Sequence, residues 1–146
     1  MSLHIKEVTI KNWRCVVNLK VNENQQNFIE SNAYSLAECK FIPQWHPKSI
    51  YYNNDLIGFA MYGYFEKENH LWLDRFMIDY KYQNKGYGKA SLNLLVNTML
   101  KEYKCNKIYL SIFKDNIEAM KLYEKFGFQF NGELDENGEL IMVLEA

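Results

Sequence analysis

Several functional classes are excluded by what this chain lacks. Only two of its 146 residues are arginine, Arg14 and Arg75, and its net charge is −1 at pH 7. Arginine is the usual reader of phosphates and guanine edges, so no nucleic-acid partner is expected. A near-neutral chain is not drawn to an anionic membrane either. The three cysteines, Cys15, Cys39 and Cys105, are odd in number, far apart and in no CxxC pair. That excludes a disulfide scaffold and a zinc site, suits a reducing compartment, and leaves no metal to expect. No apolar run approaches the roughly 20 residues of a spanning helix. The opening MSLHIKEVTI lacks the basic start and apolar stretch of a signal peptide. The expectation is a cytoplasmic protein. Both prolines, Pro43 and Pro47, fall in FIPQWHPK, which therefore reads as loop.

What the chain does contain is a core. It is 48% hydrophobic and 24% charged, which fits an ordinary globular protein and argues against disorder. Aromatic residues make up 16%, enough to line a pocket as well as fill the interior. The length suits one domain, 1–146, with no repeat, linker or low-complexity segment. LHIKEVTI alternates and reads as a strand; NWRCVVNLK reads as a helix with Asn12 as a possible cap. QQNFIESNAYSLAECK reads as a short helix, a break near Ser31–Asn32, and a second helix. SIYYNNDLIGFAMYGYF is a hairpin turning at Asn53–Asp55, and HLWLDRFMID is the next strand. From Gly88 to Tyr103, Leu92, Leu95, Val96, Met99, Leu100 and Tyr103 recur at helical spacing. KIYLSIF is β-rich. DNIEAMKLYEKFG is a helix capped by Asp115 or Asn116 and stopped by Gly127, and a hairpin around DENG closes the chain. The order is mixed α/β.

QNKGYGKA, residues 83–90, joins a strand to a helix through two of only 7 glycines. Such a turn exposes backbone N–H groups at a helix N-terminus, where the dipole favours an anion. Lys85 and Lys89 flank it, so a phosphate or pyrophosphate is the expected ligand. It is not a Walker loop, which needs GxxxxGK[ST], nor a GxGxxG fingerprint, whose third glycine is here Ser91. A tight strand-to-helix turn with no ligand remains an alternative for GYG by itself.

The surroundings narrow this. Gln83-x-x-Gly86-x-Gly88 after DRFMID resembles the acetyl-CoA loop, [QR]xxGx[GA], of the GNAT N-acetyltransferase superfamily. Asn116-x-x-Ala119-x-x-x-Tyr123 followed by EKFGF resembles that superfamily's other characteristic segment. Together they cover about 76 to 128. GFAMYG, WLDRFMID, YLSIF and LYEKFGFQFNGELDENGE are further similar to the bacterial spermine/spermidine (diamine) acetyltransferases. The resemblance implies a mixed, mainly antiparallel sheet flanked by helices, with its two middle strands, HLWLDRFMID and KIYLSIF, splayed apart. It implies acetyl-CoA as co-substrate, direct transfer in a ternary complex, a polyamine primary amine as acceptor, and it admits a homodimer. Acetylation of a protein N-terminus, lysine, antibiotic or amino acid is the enzymatic alternative, and a non-catalytic acyl-CoA-binding module the other.

An acceptor ammonium, of pKa about 10.4 for a lysine-like amine, must lose a proton before attack, and the departing thiolate must gain one. Tyr123 sits at the superfamily's acid position and is the candidate acid; by periodicity alone it is a core aromatic. Asp74 is the candidate base or ammonium anchor. On a regular strand it would share a face with Trp72, Phe76 and Ile78, where a carboxylate is costly unless paired or wet. Pairing with Arg75 or Lys81 is the bland alternative. By resemblance, backbone at Phe76, Met77 and Ile78 pairs with the pantetheine arm. Gln83, Asn84, Lys85, Gly86, Tyr87, Gly88 and Lys89 wrap the pyrophosphate, and Asn116 bonds the arm. A polyamine calls for carboxylates and aromatic faces. Glu30 is the candidate anchor in the first half, with Tyr34, Trp45 and Tyr62 as walls. His4, His46 and His70 receive no role, and the cysteines need not be nucleophiles.

Overall fold

The structure is a computed structural model that describes residues 2–146. Its strands are β1 (Leu3–Glu7), β2 (His46–Tyr52), β3 (Asp55–Phe65), β4 (His70–Ile78), β5 (Lys107–Ile112), β6 (Gln129–Leu134) and β7 (Leu140–Glu145). Its helices are α1 (Trp13–Asn18), α2 (Asn32–Phe41), α3 (Tyr87–Tyr103) and α4 (Ile117–Phe126), with short 3-10 turns at Glu23–Gln25 and Tyr80–Tyr82. The strands form one sheet in the order β1-β2-β3-β4-β5-β7-β6. Neighbours are antiparallel except β4 and β5, which are parallel.

Both faces of the sheet are covered. On one side Ile50, Ala60, Tyr62 and Leu71 meet the apolar stripe of α3, Leu92, Leu95 and Met99. On the other, Phe59, Met61 and Met77 pack with Val16 of α1 and Leu36 of α2. β3 is central and loses both faces to helices, so it is buried from Ile57 to Gly63.

Two irregularities build the site. β5 pairs with β7 along its whole length but meets β4 only at Trp72↔Tyr109. Beyond Trp72 the strands diverge, and the edge of β4 facing β5 is left without a strand partner. The second lies within the β3–β4 ladder. Tyr62 pairs with Leu73 and Met61 with Arg75, so Asp74 is the extra residue of a bulge. The alternation expected through Trp72, Asp74, Phe76 and Ile78 breaks there. Leu71 and Leu73 before the bulge reach the same core as Ile78 after it.

Other expectations shift at their ends. β1 stops at Glu7 because Asn12 ties the following turn: its Oδ1 accepts from Thr9 N (2.7 Å) and its Nδ2 donates to Glu7 O (3.2 Å). Asn12 therefore precedes α1 without capping it by its side chain. The short helix expected before Ser31 is only the turn Glu23–Gln25, whereas Ser31 caps α2 by accepting from Tyr34 N. FIPQWHPK is not all loop: α2 runs to Phe41 and β2 begins at His46. Pro47 is tolerated there because β1 reaches only to Lys48, so no ladder on that side asks for its missing N–H.

Candidate active site

The loop from β4 to α3 is held at both ends. Asp79, buried, accepts from Lys20 N (2.8 Å) and Lys81 N (3.2 Å). The Gln83 side chain is fully engaged: Nε2 donates to Ile78 O (2.8 Å) and Gln25 Oε1 (3.0 Å), while Oε1 accepts from Asn22 Nδ2 (2.8 Å). Gln83 thus fixes the loop while also lining the cleft described below. Gly86 turns the chain into α3 at φ +87, a conformation that an L side chain resists. The first helical bond at that end is Ala90 N to Gly86 O (3.3 Å), so the N–H groups of Tyr87, Gly88 and Lys89 have no carbonyl inside the helix. A Cβ at Gly86 or Gly88 would meet nothing within 4 Å, which leaves open space over these amides. Lys85 and Lys89 are exposed beside them, and Asn84 and Gly88 line the cleft itself. Tyr87 sends its ring away, onto Tyr52 (4.8 Å between centroids) and Tyr82 (6.3 Å).

From this loop a cleft runs down between the diverging strands. Phe76, Met77 and Ile78 form one wall, and Asn116, Ala119 and Tyr123 of the α4 side form the other. Asn116 caps α4 by accepting from Ala119 N (3.4 Å), and Gly127 ends it at φ +123. The seven-residue spacing brings Tyr123 to the cleft one face along from Asn116. Tyr123 is 8% exposed, with its ring edge-on to Phe128. Burial alone pushes its pKa well above that of a free tyrosine, with no charged neighbour contributing. The hydroxyl therefore stays protonated at neutral pH.

A second cleft of about 1270 Å³ opens between α2, the segment around Phe28 and the β6–β7 hairpin. Glu30, Tyr34, Trp45 and Asp74 line it, as do four carboxylates the sequence reading did not select: Glu38, Asp135, Glu136 and Glu139. Arg75 is its one cationic side chain, set against six carboxylates. Among the described residues no three His, Cys, Asp or Glu are grouped to hold a metal ion. Tyr62 is a correction. It is fully buried against α3, its hydroxyl donates to Glu102 Oε2 (2.8 Å) on that helix, and it lines neither cleft. The pattern of β3 shows alternation but not which face looks at which helix pair.

The two clefts share Phe28, Ile29, Asp74, Arg75 and Ser111 and so join at Asp74. The pairing weighed as the bland alternative is present. Arg75 donates to Asp74 through Nη1 and to Glu38 Oε1 through Nη2 (2.9 Å). Desolvation raises the Asp74 pKa, Arg75 pulls it down, and Glu38 and Asp135 push it up again. Burial, then Asp135 and Asp74, raise Glu139. Burial, with Glu38 next, lifts the Cys39 thiol to about 11, so it is not a thiolate. The hairpin acids went unseen because DENG reads first as turn chemistry: Asp135 Oδ1 accepts from Asn137 N and Glu139 N. Three acids within DENGE were the available signal.

A splayed parallel pair, free amides at α3 and a buried tyrosine on α4 thus border one cleft. The Acetyltransferase (GNAT) family model matches residues 12–128. The chain belongs to the GNAT acetyltransferase family. It is 49% identical, over 151 aligned positions and 99% of both chains, to a Bacillus subtilis (strain 168) protein named spermine/spermidine N(1)-acetyltransferase. Its fold is similar to that of Vibrio cholerae spermidine N-acetyltransferase, solved with CoA and spermine, at TM-score 0.76 and 19% identity, over 97% of this chain and 92% of that one. It is also similar in fold to the Escherichia coli ribosomal-protein-S18-alanine N-acetyltransferase, at TM-score 0.72 and 20% identity, over 99% of this chain and 94% of that one. Likeness at such identity concerns the GNAT fold, which serves more than one kind of amine.

Proposed function

We propose that the protein is an acetyl-CoA-dependent N-acetyltransferase whose acceptor is a primary amine of spermine, spermidine or a related diamine. The observation that carries this reading is the junction of two unlike clefts at Asp74: one ending in free helix amides, the other lined by six carboxylates and one guanidinium. An extended chain of methylenes and ammonium groups matches the second cleft in sign and aromatic lining. The name of the Bacillus relative supports the same acceptor.

The residues fit the co-substrate. Amides of Tyr87, Gly88 and Lys89 under open space suit a diphosphate, with Lys85 and Lys89 adding charge. The edge of β4 at Phe76–Ile78, which has no strand partner and on which only Ile78 O is taken up by Gln83, suits the amides of a pantetheine arm, and Asn116 lines the same cleft. When bound, acetyl-CoA supplies an acyl carbon already activated as a thioester. Asp74 attracts the acceptor's ammonium and takes its proton, directly or through water, leaving a neutral amine nitrogen. That nitrogen forms the new C–N bond as the C–S bond breaks. Tyr123, neutral from burial, gives its proton to the departing sulfur, and the second proton that the nitrogen loses as the amide forms restores the phenol through water. No bond to the protein forms. The three cysteines are unpaired, consistent with the cytoplasm as the place of action.

The test is thiol release from acetyl-CoA against a panel of polyamines, amino acids and peptides, with the product identified by mass spectrometry. Spermidine or spermine is expected to give the highest kcat/KM and a singly acetylated product. Turnover confined to an amino acid or a peptide N-terminus overturns the acceptor. Tight acetyl-CoA binding without turnover on any amine overturns the enzyme.

A further inference from the structure

Arg75 is the one cation in a cleft of carboxylates, and its side chain is only 11% exposed. Consecutive strand residues normally point to opposite faces. Here the bulge at Asp74 lets Asp74 and Arg75 both line both clefts, side by side at their junction. The guanidinium spans two elements, bonding Asp74 on its own strand and Glu38 on α2. We propose that Arg75 is a positioning residue for the transfer: its fork, shared between Glu38 and Asp74, keeps the Asp74 carboxylate ionised and oriented at the meeting point of the clefts.

This deepens the polyamine reading and rests on it. The groups facing Asp74 are Arg75 from β4, Glu38 and the Cys39 thiol from α2, and Asp135 and Glu139 from the β6–β7 hairpin. Every one but Arg75 is acidic or neutral, and desolvation acts in the same direction as the acids. Without the guanidinium nothing in the cleft would hold the proton off Asp74 until an acceptor cation arrived. A planar fork can serve two carboxylates at once, which a lysine ammonium does less well.

Two readouts test this. The acid limb of kcat/KM for spermidine reports the free enzyme's base, because the acceptor remains an ammonium throughout that range. The carbon-13 shift of the Asp74 carboxyl, assigned against Asp74→Asn, follows the same proton without turnover. Arg75→Gln should move both midpoints up by about one to three pH units, the usual influence of an adjacent arginine. Glu38→Gln should move them down, and Arg75→Lys should fall between wild type and Arg75→Gln. Arg75→Gln folded with an unmoved Asp74 midpoint overturns the proposal. Should that variant not fold, an unmoved midpoint in Glu38→Gln and Arg75→Lys does so. A wild-type enzyme inactive on spermidine would sink the polyamine reading, and the carboxyl titration would still decide the role of Arg75.

Discussion

Tyr123 and Tyr62 are both buried tyrosines on the same side of the sheet, yet their hydroxyls have different fates. The Tyr62 hydroxyl donates to Glu102, whereas Tyr123 lines the cleft at the end of a spacing shared with Asn116 and Ala119. Tyr123→Phe removes a proton donor and keeps the ring on Phe128. It is expected to lower kcat by about a hundredfold or more, the usual worth of a general acid, with calorimetric affinity for acetyl-CoA unchanged. Equal kcat in variant and wild type would remove Tyr123 as the acid. Tyr62→Phe is expected to do the reverse. Losing one hydrogen bond to a carboxylate should cost about 1 to 3 kcal/mol of stability in denaturant titration, with KM for spermidine unmoved. A raised KM would return Tyr62 to the acceptor pocket. Periodicity alone made Tyr123 a core aromatic; the resemblance to the family's second motif pointed to the cleft, which Tyr123 does line. Tyr62 was misplaced because a strand's alternation leaves open which of two covered faces holds the acceptor.

The strand–loop–helix unit from β4 to α3 was legible in outline from periodicity, the glycine pair and the motif. Its two decisive details were not. The bulge at Asp74 depends on register with β3, and the engagement of Gln83 depends on Asn22 and Gln25, far away in sequence. Likewise the β6–β7 hairpin was foreseen as a hairpin, but that it carries acids into the second cleft is a matter of where the sheet sets it. Gly88 separates stability from binding within this unit. It lies inside the first turn of α3, where glycine is poorer than alanine, and a Cβ there touches no protein atom. Gly88→Leu should therefore leave the melting temperature equal or raise it, by up to about 1 kcal/mol of stability. The [QR]xxGx[GA] pattern admits a methyl at this position, but a branched side chain would stand where, on the proposed reading, a diphosphate approaches the amides, so affinity for acetyl-CoA should fall severalfold by calorimetry. Unchanged affinity in the folded variant would take the diphosphate away from this turn.

The whole chain is nearly neutral, at −1, so its composition hides a strong local asymmetry. Free amides and lysines stand at one end of the joined clefts, and the carboxylates of α2, β4 and the β6–β7 hairpin gather at the other. On the proposed reading, an anionic co-substrate and a cationic acceptor would thereby be sorted to opposite ends before meeting at Asp74. The attraction of the acidic end for an acceptor scales with the acceptor's charge, and salt screens it over about 10 Å at 0.1 M. KM for spermidine, a multiply charged chain, is thus expected to climb steeply with added sodium chloride. KM for an alkylamine of single charge should climb much less, and affinity for acetyl-CoA should follow its own, separate dependence. Removing one of the hairpin's three carboxylates with Glu136→Gln should flatten the spermidine curve part of the way toward that of the monoamine. Initial rates over a salt series with both acceptors read this directly. Identical salt dependence for the two amines would mean that the acidic lining does not engage the acceptor's distal charges.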